Sequence, residues 1–171
     1  RLSGMLAEAG GVTIVPDVAQ VKVERGGRTG RVWLQDLYDN PRNVFVATFM
    51  GSPSMNLLPG RILRDAGVLK VETCGALMDM PQGAAGREGQ EVLFGVRPEH
   101  LVIANAGIAC TVDVVEPTGS ETHVLLKAAG ADIVAAFHQR LSLAPGAPLH
   151  LTADPSQTHI FDRASGMKAR A

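Results

Sequence analysis

Nucleotide hydrolysis at a phosphate-cradling loop requires the pattern G-x-x-x-x-G-K-[ST]. The lysine of this loop must reach the β- and γ-phosphates, and its hydroxyl must reach the magnesium ion. No lysine of this chain follows a glycine: the lysines are Lys22, Lys70, Lys127 and Lys168. The sequence therefore predicts a chain that does not hydrolyse a nucleotide by itself.

The residue spacings that are typical of metal sites and of catalytic nucleophiles are absent from the sequence as well. Metal sites need ligands that converge at short intervals, whereas the histidines are scattered at His100, His123, His138, His150 and His159. Gly119-Ser120-Glu121 differs from the G-x-S-x-G elbow of serine hydrolases. We predict no catalytic, metal-binding or cofactor-binding residue in this chain.

The composition argues against a nucleic-acid-binding role. The net charge is -1 and aromatic residues make up 4% of 171 residues, whereas single-strand binders stack bases on aromatics in a basic groove. Hydrophobic residues make up 46%, enough for a conventional core. Cys74 and Cys110 lie far apart in apolar stretches, which predicts two buried, reduced thiols.

No apolar run reaches the roughly 20 residues that a membrane-spanning helix needs. Any connection to a membrane is therefore expected to run through a partner protein.

Two short helices are predicted before residue 56. Leu34, Leu37 and Tyr38 recur at helical spacing until Pro41 interrupts them. Asn43 is a candidate N-cap for a second helix over residues 44–50, which Gly51-Ser-Pro53 then ends.

Short apolar segments separated by Gly and Pro turns follow residue 56, and two more precede residue 24. The predicted strands are 12–15, 18–23, 61–63, 68–73, 90–96, 100–103, 108–116, 123–127, 133–137, 149–153 and 159–161. A turn is predicted at residues 25–30, another at Pro59-Gly60, and a hairpin loop at residues 117–121. Many short strands at regular spacing indicate a closed or nearly closed all-β barrel.

Four segments, in order, resemble the ATP-binding subunits of maltose- and glycerol-phosphate-type ABC importers. They are LYDNPRNVFVATFMGSPSMN at 37–56, GVRPEHL at 95–101, VVEPTGSET at 114–122 and HIFDRASG at 159–166. The resemblance covers about residues 35–166. It implies the C-terminal part of such a subunit, which is a mainly β, OB-type (TOBE) barrel preceded by a short helical segment.

The resemblance also implies a division of the chain. Residues 1–55 would be a remnant of, or linker from, the nucleotide-binding domain, helical over 35–55 and unassigned over 1–34. Residues 56–171 would form the barrel. The implied role is regulation and dimerisation of an importer ATPase for carbohydrate or glycerol 3-phosphate, with ATP and Mg²⁺ bound outside this chain.

The implied partners are a second copy, permease subunits reached through the parent ATPase, and a regulatory protein, with no nucleic acid. The implied location is the cytoplasmic face of the inner membrane. Candidate regulatory or interface residues in the matched segments are Arg97, Glu99, His100, Ser120, Glu121, Thr122, Phe161 and Asp162.

Local chemistry suggests simpler roles for some of these residues. Pro98 would fix a rigid turn from which Arg97 and Glu99 project. Phe161 would lie in the core, and Asp162 would cap the turn before Gly166.

An alternative stays open, in which the barrel is a sensor that binds an oxyanion or a sugar. Such a site would gather Arg97, Ser120 and Thr122 in one cleft.

Overall fold

The computed structural model describes residues 12–14, 20–25 and 28–169, with side chains from Val32 onwards. It divides the chain into two units, Arg1–Arg42 and Asn43–Ala171. The second unit contains all of the candidate residues named above.

The first unit contains a three-stranded antiparallel sheet in the order β1-β2-β3. Its strands are β1 (Val12–Ile14), β2 (Gln20–Arg25) and β3 (Arg28–Trp33), and helix α1 (Leu34–Asp39) follows directly. The two predicted strands and the first helix are confirmed. The turn predicted at 25–30 is wrong in part, because Arg28 to Gly30 pair with β2; its Gly26 and Gly27 lie outside the described residues.

Helix α2 (Val44–Phe49) opens the second unit, and its predicted cap is confirmed. The Val46 N–H donates to Oδ1 of Asn43 at 2.9 Å, as an N-cap side chain does. The Met50 N–H donates to the Val46 carbonyl, and Gly51 then takes a φ of 107°. The left-handed backbone at Gly51 ends the helix without a side-chain clash.

Two five-stranded antiparallel sheets follow α2, together with two 3-10 turns, Pro98–His100 and Pro155–Gln157. Sheet I has the order β13-β7-β4-β5-β6, and sheet II has the order β11-β10-β9-β12-β8. The strands of sheet I are β4 (Asn56–Asp65), β5 (Val68–Thr73), β6 (Ala76–Asp79), β7 (Glu91–Val96) and β13 (Thr158–Asp162). Those of sheet II are β8 (Val102–Ala104), β9 (Ile108–Pro117), β10 (Thr122–Ala128), β11 (Ala131–Phe137) and β12 (Pro148–Thr152).

The core of this unit lies between the two sheets. In β10 the buried residues Thr122, Val124 and Leu126 alternate with more exposed ones, as a half-buried strand requires. Ile62 and Phe94 of sheet I belong to the same buried cluster as Leu126. The two curled sheets form a half-barrel of the OB-fold family, so the predicted fold class is confirmed.

The turn predicted at Pro59-Gly60 is wrong, because both residues lie inside β4. Pro59 pairs with Leu93 of β7, and its carbonyl faces the other side, where β5 pairs with β4 only from Gly60 onwards; the missing N–H therefore costs no ladder hydrogen bond. Thr73 Oγ1 instead donates to the Pro59 carbonyl at 2.9 Å. A Cβ on Gly60 would lie 2.7 Å from the Glu72 carbonyl oxygen, so the close approach of β5 requires glycine here.

The other predicted strands are confirmed, with ends that differ by a few residues. Strand β6 was not predicted. Its four residues, Ala76–Asp79, contain no β-branched side chain and lie next to a long turn region, so no local signal distinguishes them. Among the described residues, no helix is long and apolar enough to cross a membrane.

Candidate functional site

The structure places six of the eight candidate residues at two places on the second unit. Arg97, Phe161 and Asp162 lie at or near the ends of the sheet I strands that carry α2. Ser120, Glu121 and Thr122 lie where the β9–β10 loop joins sheet II. The cavity that Ser120 and Thr122 line does not have Arg97 among its lining residues.

Arg97 follows β7 and is 1% exposed, so the expectation that it projects from a turn is wrong. Its Nη1 donates to the Met50 carbonyl at 2.7 Å, at the C-terminal end of α2. β7 puts Phe94 and Val96 into the core, and the alternate residues Gly95 and Arg97 therefore face the side on which α2 packs.

Pro98, Glu99 and His100 form a 3-10 turn that packs against β11. Glu99 and His100 are half-buried. Nδ1 of His100 has no accessible surface and no hydrogen-bond partner among the described residues. A regulatory or interface role for Glu99 and His100 stays a prediction.

Phe161 is fully buried, as predicted, in a small cluster with Ala47 of α2 and Met55. It lies over Gly95, where an added Cβ would be 2.9 Å from Cε2 of Phe161. The absence of a side chain at Gly95 therefore makes room for the aromatic ring.

Asp162 caps the following turn, as predicted. Its Oδ1 accepts from both the N–H and the Oγ of Ser165 at 2.8 Å, and its carbonyl accepts from the Gly166 N–H at 2.8 Å. The Ser165 N–H, followed by the Ser165 hydroxyl, lowers the pKa of the Asp162 carboxyl below its ordinary value.

Ser120 is exposed in the β9–β10 loop, whereas Thr122 is 2% exposed because it already belongs to β10. Thr122 Oγ1 donates to the Gln139 carbonyl at 3.1 Å. The loop itself is closed by the Thr118 N–H, which donates to the Glu121 carbonyl at 2.8 Å. The hairpin predicted around residues 117–121 is therefore confirmed.

Glu121 lies between two imidazoles. His123 Nε2 is 3.3 Å from its Oε2, and His138 Nδ1 is 3.3 Å from its Oε1. Glu121, His138 and Arg140 border a cavity of about 210 Å³, which we call the loop site; its lining residues are Pro117, Gly119, Ser120, Glu121, Thr122, His138, Gln139 and Arg140. Arg140 supplies the basic group that the sequence had led us to expect from Arg97.

The sequence analysis missed His123, His138 and Arg140, although a signal for His138 was present. Thr122 pairs with Phe137 across the β10–β11 hairpin. Glu121 precedes Thr122 and His138 follows Phe137, so these two residues lie opposite each other just beyond the last strand pair. Counting outwards from the two-residue turn at Ala129-Gly130 leads to the same pairing.

A wider groove of about 630 Å³ lies beside the Asp162 turn, lined by residues 87–91 and 162–164. Its charges are largely paired: Arg163 Nη1 is 3.2 Å from Glu91 Oε2, and Arg64 Nε is 3.1 Å from Glu88 Oε2. These ion pairs are exposed and contribute little stability. In the described part of the chain, no three His, Cys, Asp or Glu residues are grouped so that they could hold a metal ion.

Two family models match the second unit in succession. Residues 51–101 match the MalK OB fold domain, and residues 94–161 match the TOBE domain.

Similar proteins carry consistent names. An uncharacterized ABC transporter ATP-binding protein, y4oS of Sinorhizobium fredii, is 40% identical over 133 residues, which are 78% of this chain and 36% of the relative. The sn-glycerol-3-phosphate import ATP-binding protein UgpC of Ruegeria sp. is 38% identical, over 78% of this chain and 37% of the relative. The oligosaccharides import ATP-binding protein MsmX of Bacillus subtilis is 31% identical, over 80% of this chain and 40% of the relative.

The solved structure of the cytoplasmic molybdate-binding protein ModG is also similar, with a TM-score of 0.48 and 17% identity over 61% of this chain and 94% of that one. A likeness of this size does not establish a shared ligand.

Residues 51–161 therefore belong to the OB-fold and TOBE domain families. Over about 78% of its length the chain is related to the ATP-binding subunits of ABC transporters, as the resemblance of its four segments predicted. It spans between 36% and 40% of the length of the three relatives named above.

Proposed function

We propose that this chain is the regulatory and dimerisation part of the ATP-binding subunit of an ABC importer for carbohydrate or glycerol 3-phosphate. The observation that carries the proposal is the succession of an OB-fold match and a TOBE match within one unit that has one main core. The names of the relatives UgpC and MsmX support the transported class.

In this proposal the chain works by protein contact. ATP and Mg²⁺ bind to a nucleotide-binding domain outside this chain, and the permease subunits are reached through that domain at the cytoplasmic face of the membrane. Two copies held together by their barrels keep the two ATPase domains at high local concentration while these open and close.

The outer side of sheet II is the contact surface that we propose for the second copy. Val114 and Leu125 are direct cross-strand partners there, and they are 40% and 37% exposed. On the edge strand β8, Val102 is 51% exposed and faces the same outer side, because its neighbour Ile103 lies opposite the buried Leu151. Exposed apolar side chains on one sheet favour burial against another protein surface.

The test is a light-scattering mass for the whole chain over a hundredfold range of protein concentration. A chain of 18.0 kDa is expected to approach twice that mass as the concentration rises. A mass that stays at the monomer value throughout would overturn dimerisation by this chain.

A pair of variants locates the contact surface. We expect Leu125→Glu to abolish the dimer, because it places a charge in the proposed apolar contact. Val68→Glu is the matched control, since Val68 is 61% exposed but lies in sheet I. A dimer that survives Leu125→Glu, or that Val68→Glu abolishes equally, contradicts the assignment of sheet II.

The loop site supports a second candidate function, the binding of a small oxyanion or sugar. Its cavity of about 210 Å³ presents hydroxyl, carboxylate, imidazole and guanidinium groups together. Melting temperatures with sulfate, phosphate and monosaccharides test it, because a ligand of the folded state raises the melting temperature. The same rise in Arg140→Met as in the parent chain would exclude the loop site.

A further inference from the structure

Helix α2 is too short to be stable without support. Isolated helices of fewer than about 12 residues are marginal in water, and α2 has six residues, of which only Ala47 is buried. Ala47 packs with Met55 and Phe161 in a cluster of its own, separate from the main core between the sheets. Other contacts must therefore hold the helix in place.

The first of these contacts is made by Arg97 at the C-terminal end of α2. Its guanidinium donates to the Met50 carbonyl at 2.7 Å, and the side chain is almost completely buried. A hydrogen bond from a charged donor is about twice as strong as a neutral one. Breaking this bond would also leave a helix-terminal carbonyl without that donor.

The second contact is made by the segment that follows β13, residues 162–169, which we call the strap. The Val44 N–H donates to the Gly166 carbonyl at 2.9 Å, and Asn43 and Met167 form an isolated antiparallel bridge. The strap therefore satisfies a main-chain donor in the first turn of α2, where no helical carbonyl is available.

The strap is in turn attached to sheet I. The Ala169 N–H donates to the Ile160 carbonyl at 2.9 Å, and Lys168 Nζ lies 2.9 Å from His159 Nδ1. Gly166 has a φ of 68°, so the turn that presents its carbonyl to Val44 uses a left-handed backbone.

We propose that α2 opens as a separate unit and that Arg97 and the strap form a two-point latch that holds it closed on sheet I. The latch joins three of the four segments on which the family resemblance rests, because α2, Arg97 and the strap turn each lie in one of them. A partner that displaced the strap would release α2 while the two sheets stayed folded.

The test is native-state amide hydrogen exchange of the full chain by NMR. The reporters are the Ala47 and Met50 amides, which donate to the Asn43 and Val46 carbonyls at 3.1 Å. Amides of β10, an interior strand of sheet II, report on the core. Exchange at α2 is expected to be faster than exchange at β10 in the parent chain, because small contact areas open locally.

Two variants each weaken one point of the latch, and each has a matched control. Gly166→Ala strains the strap turn, and Gly130→Ala places the same strain at a φ of 81° in the β10–β11 turn, far along the chain from α2. Arg97→Met removes the donor to Met50, and Arg64→Met removes an exposed arginine of β4. We expect each latch variant to accelerate the α2 reporters about fivefold or more relative to its control.

Two outcomes would overturn the latch. One is α2 exchange that is no faster in Gly166→Ala and Arg97→Met than in their controls. The other is an equal acceleration of α2 and β10, which would make α2 part of the same cooperative unit as the core. If Arg97→Met fails to fold, the comparison of Gly166→Ala with Gly130→Ala is the test of the latch. The readout uses this chain only, so it does not depend on the proposed function.

Discussion

The side-chain amide of Asn56 pairs with both main-chain groups of Val134. The Val134 N–H donates to Asn56 Oδ1 at 2.8 Å, and Asn56 Nδ2 donates to the Val134 carbonyl at 2.8 Å. Asn56 begins β4 in sheet I, whereas Val134 lies in β11 at the edge of sheet II. One buried side chain therefore stands in for a neighbouring strand and joins the two sheets.

We expect Asn56→Ala to lower the free energy of unfolding by about 2–4 kcal/mol, because it leaves both Val134 groups without their partner. Urea denaturation at neutral pH measures the change. Asn105→Ala, at an exposed turn position, is the control and should stay within about 0.5 kcal/mol of the parent. Equal losses in the two variants would show that the Asn56 bridge contributes nothing specific.

We expect Gly95→Ala to destabilise the fold by about 1–3 kcal/mol, since overpacking a filled site has that cost. The added Cβ would lie 2.9 Å from both Met55 Sδ and Phe161 Cε2. Thermal unfolding measures the loss. The double variant Gly95→Ala/Met55→Ala should lose less stability than the sum of the two single-variant losses, because Met55→Ala removes one of the clashes. A loss equal to that sum would argue against this packing.

Asp162 should make stability depend on pH in the acid range. Its pKa is lowered in the folded chain by the Ser165 N–H and hydroxyl. A group with a lowered folded pKa stabilises the fold above its unfolded pKa of about 3.9, and this contribution is lost as the pH falls through the folded value.

We therefore expect the parent chain to lose more stability than Asp162→Asn as the pH falls from about 5 to below 3.9. Urea midpoints across that range measure the difference. Asp65→Asn, which removes an exposed carboxylate of β4, is the control. Parallel pH profiles for the parent chain and Asp162→Asn would refute the role of the Asp162 turn.

Cys110 should react very slowly with thiol reagents. Burial, and then the charge of Cys74, raise the pKa of the Cys110 thiol to about 11. The reactive thiolate is then only about one part in ten thousand at pH 7.

Colorimetric thiol labelling of the native chain at pH 7 should therefore modify Cys74 first, since Cys74 is half-buried. The single variants Cys74→Ser and Cys110→Ser assign the two rates. Faster labelling of the Cys74→Ser variant than of the Cys110→Ser variant would contradict this order.

Local signals predicted the short helices well. The Asn43 cap, the apolar residues after it and Gly51 lie within one stretch of chain, so no distant contact is needed to recognise α2. The same holds for β10 and β11, whose alternation and Ala129-Gly130 turn are local. The resemblance of four segments added the family, which periodicity alone does not specify.

The wrong predictions concern residues whose structure is determined by a segment that is distant in the sequence. Pro59-Gly60 has turn chemistry, but β7 pairs with this stretch and continues the strand. Strand β6 forms because β5 offers it an edge. Arg97 is charged and follows a strand, so exposure is the ordinary expectation; its burial depends on α2 docking over sheet I.

The sequence by itself determined that this is a β-rich OB/TOBE chain with two short helices and no phosphate-binding loop. The helices and the missing loop depend on residue types and on spacing within one segment, whereas the OB/TOBE assignment rests on the resemblance of four segments. Only the tertiary structure decided that Asn56 bridges to Val134, that Glu121 lies between His123 and His138, and that Arg97 holds α2. Each of these pairings depends on strand register and sheet closure, which bring together side chains that no local pattern relates.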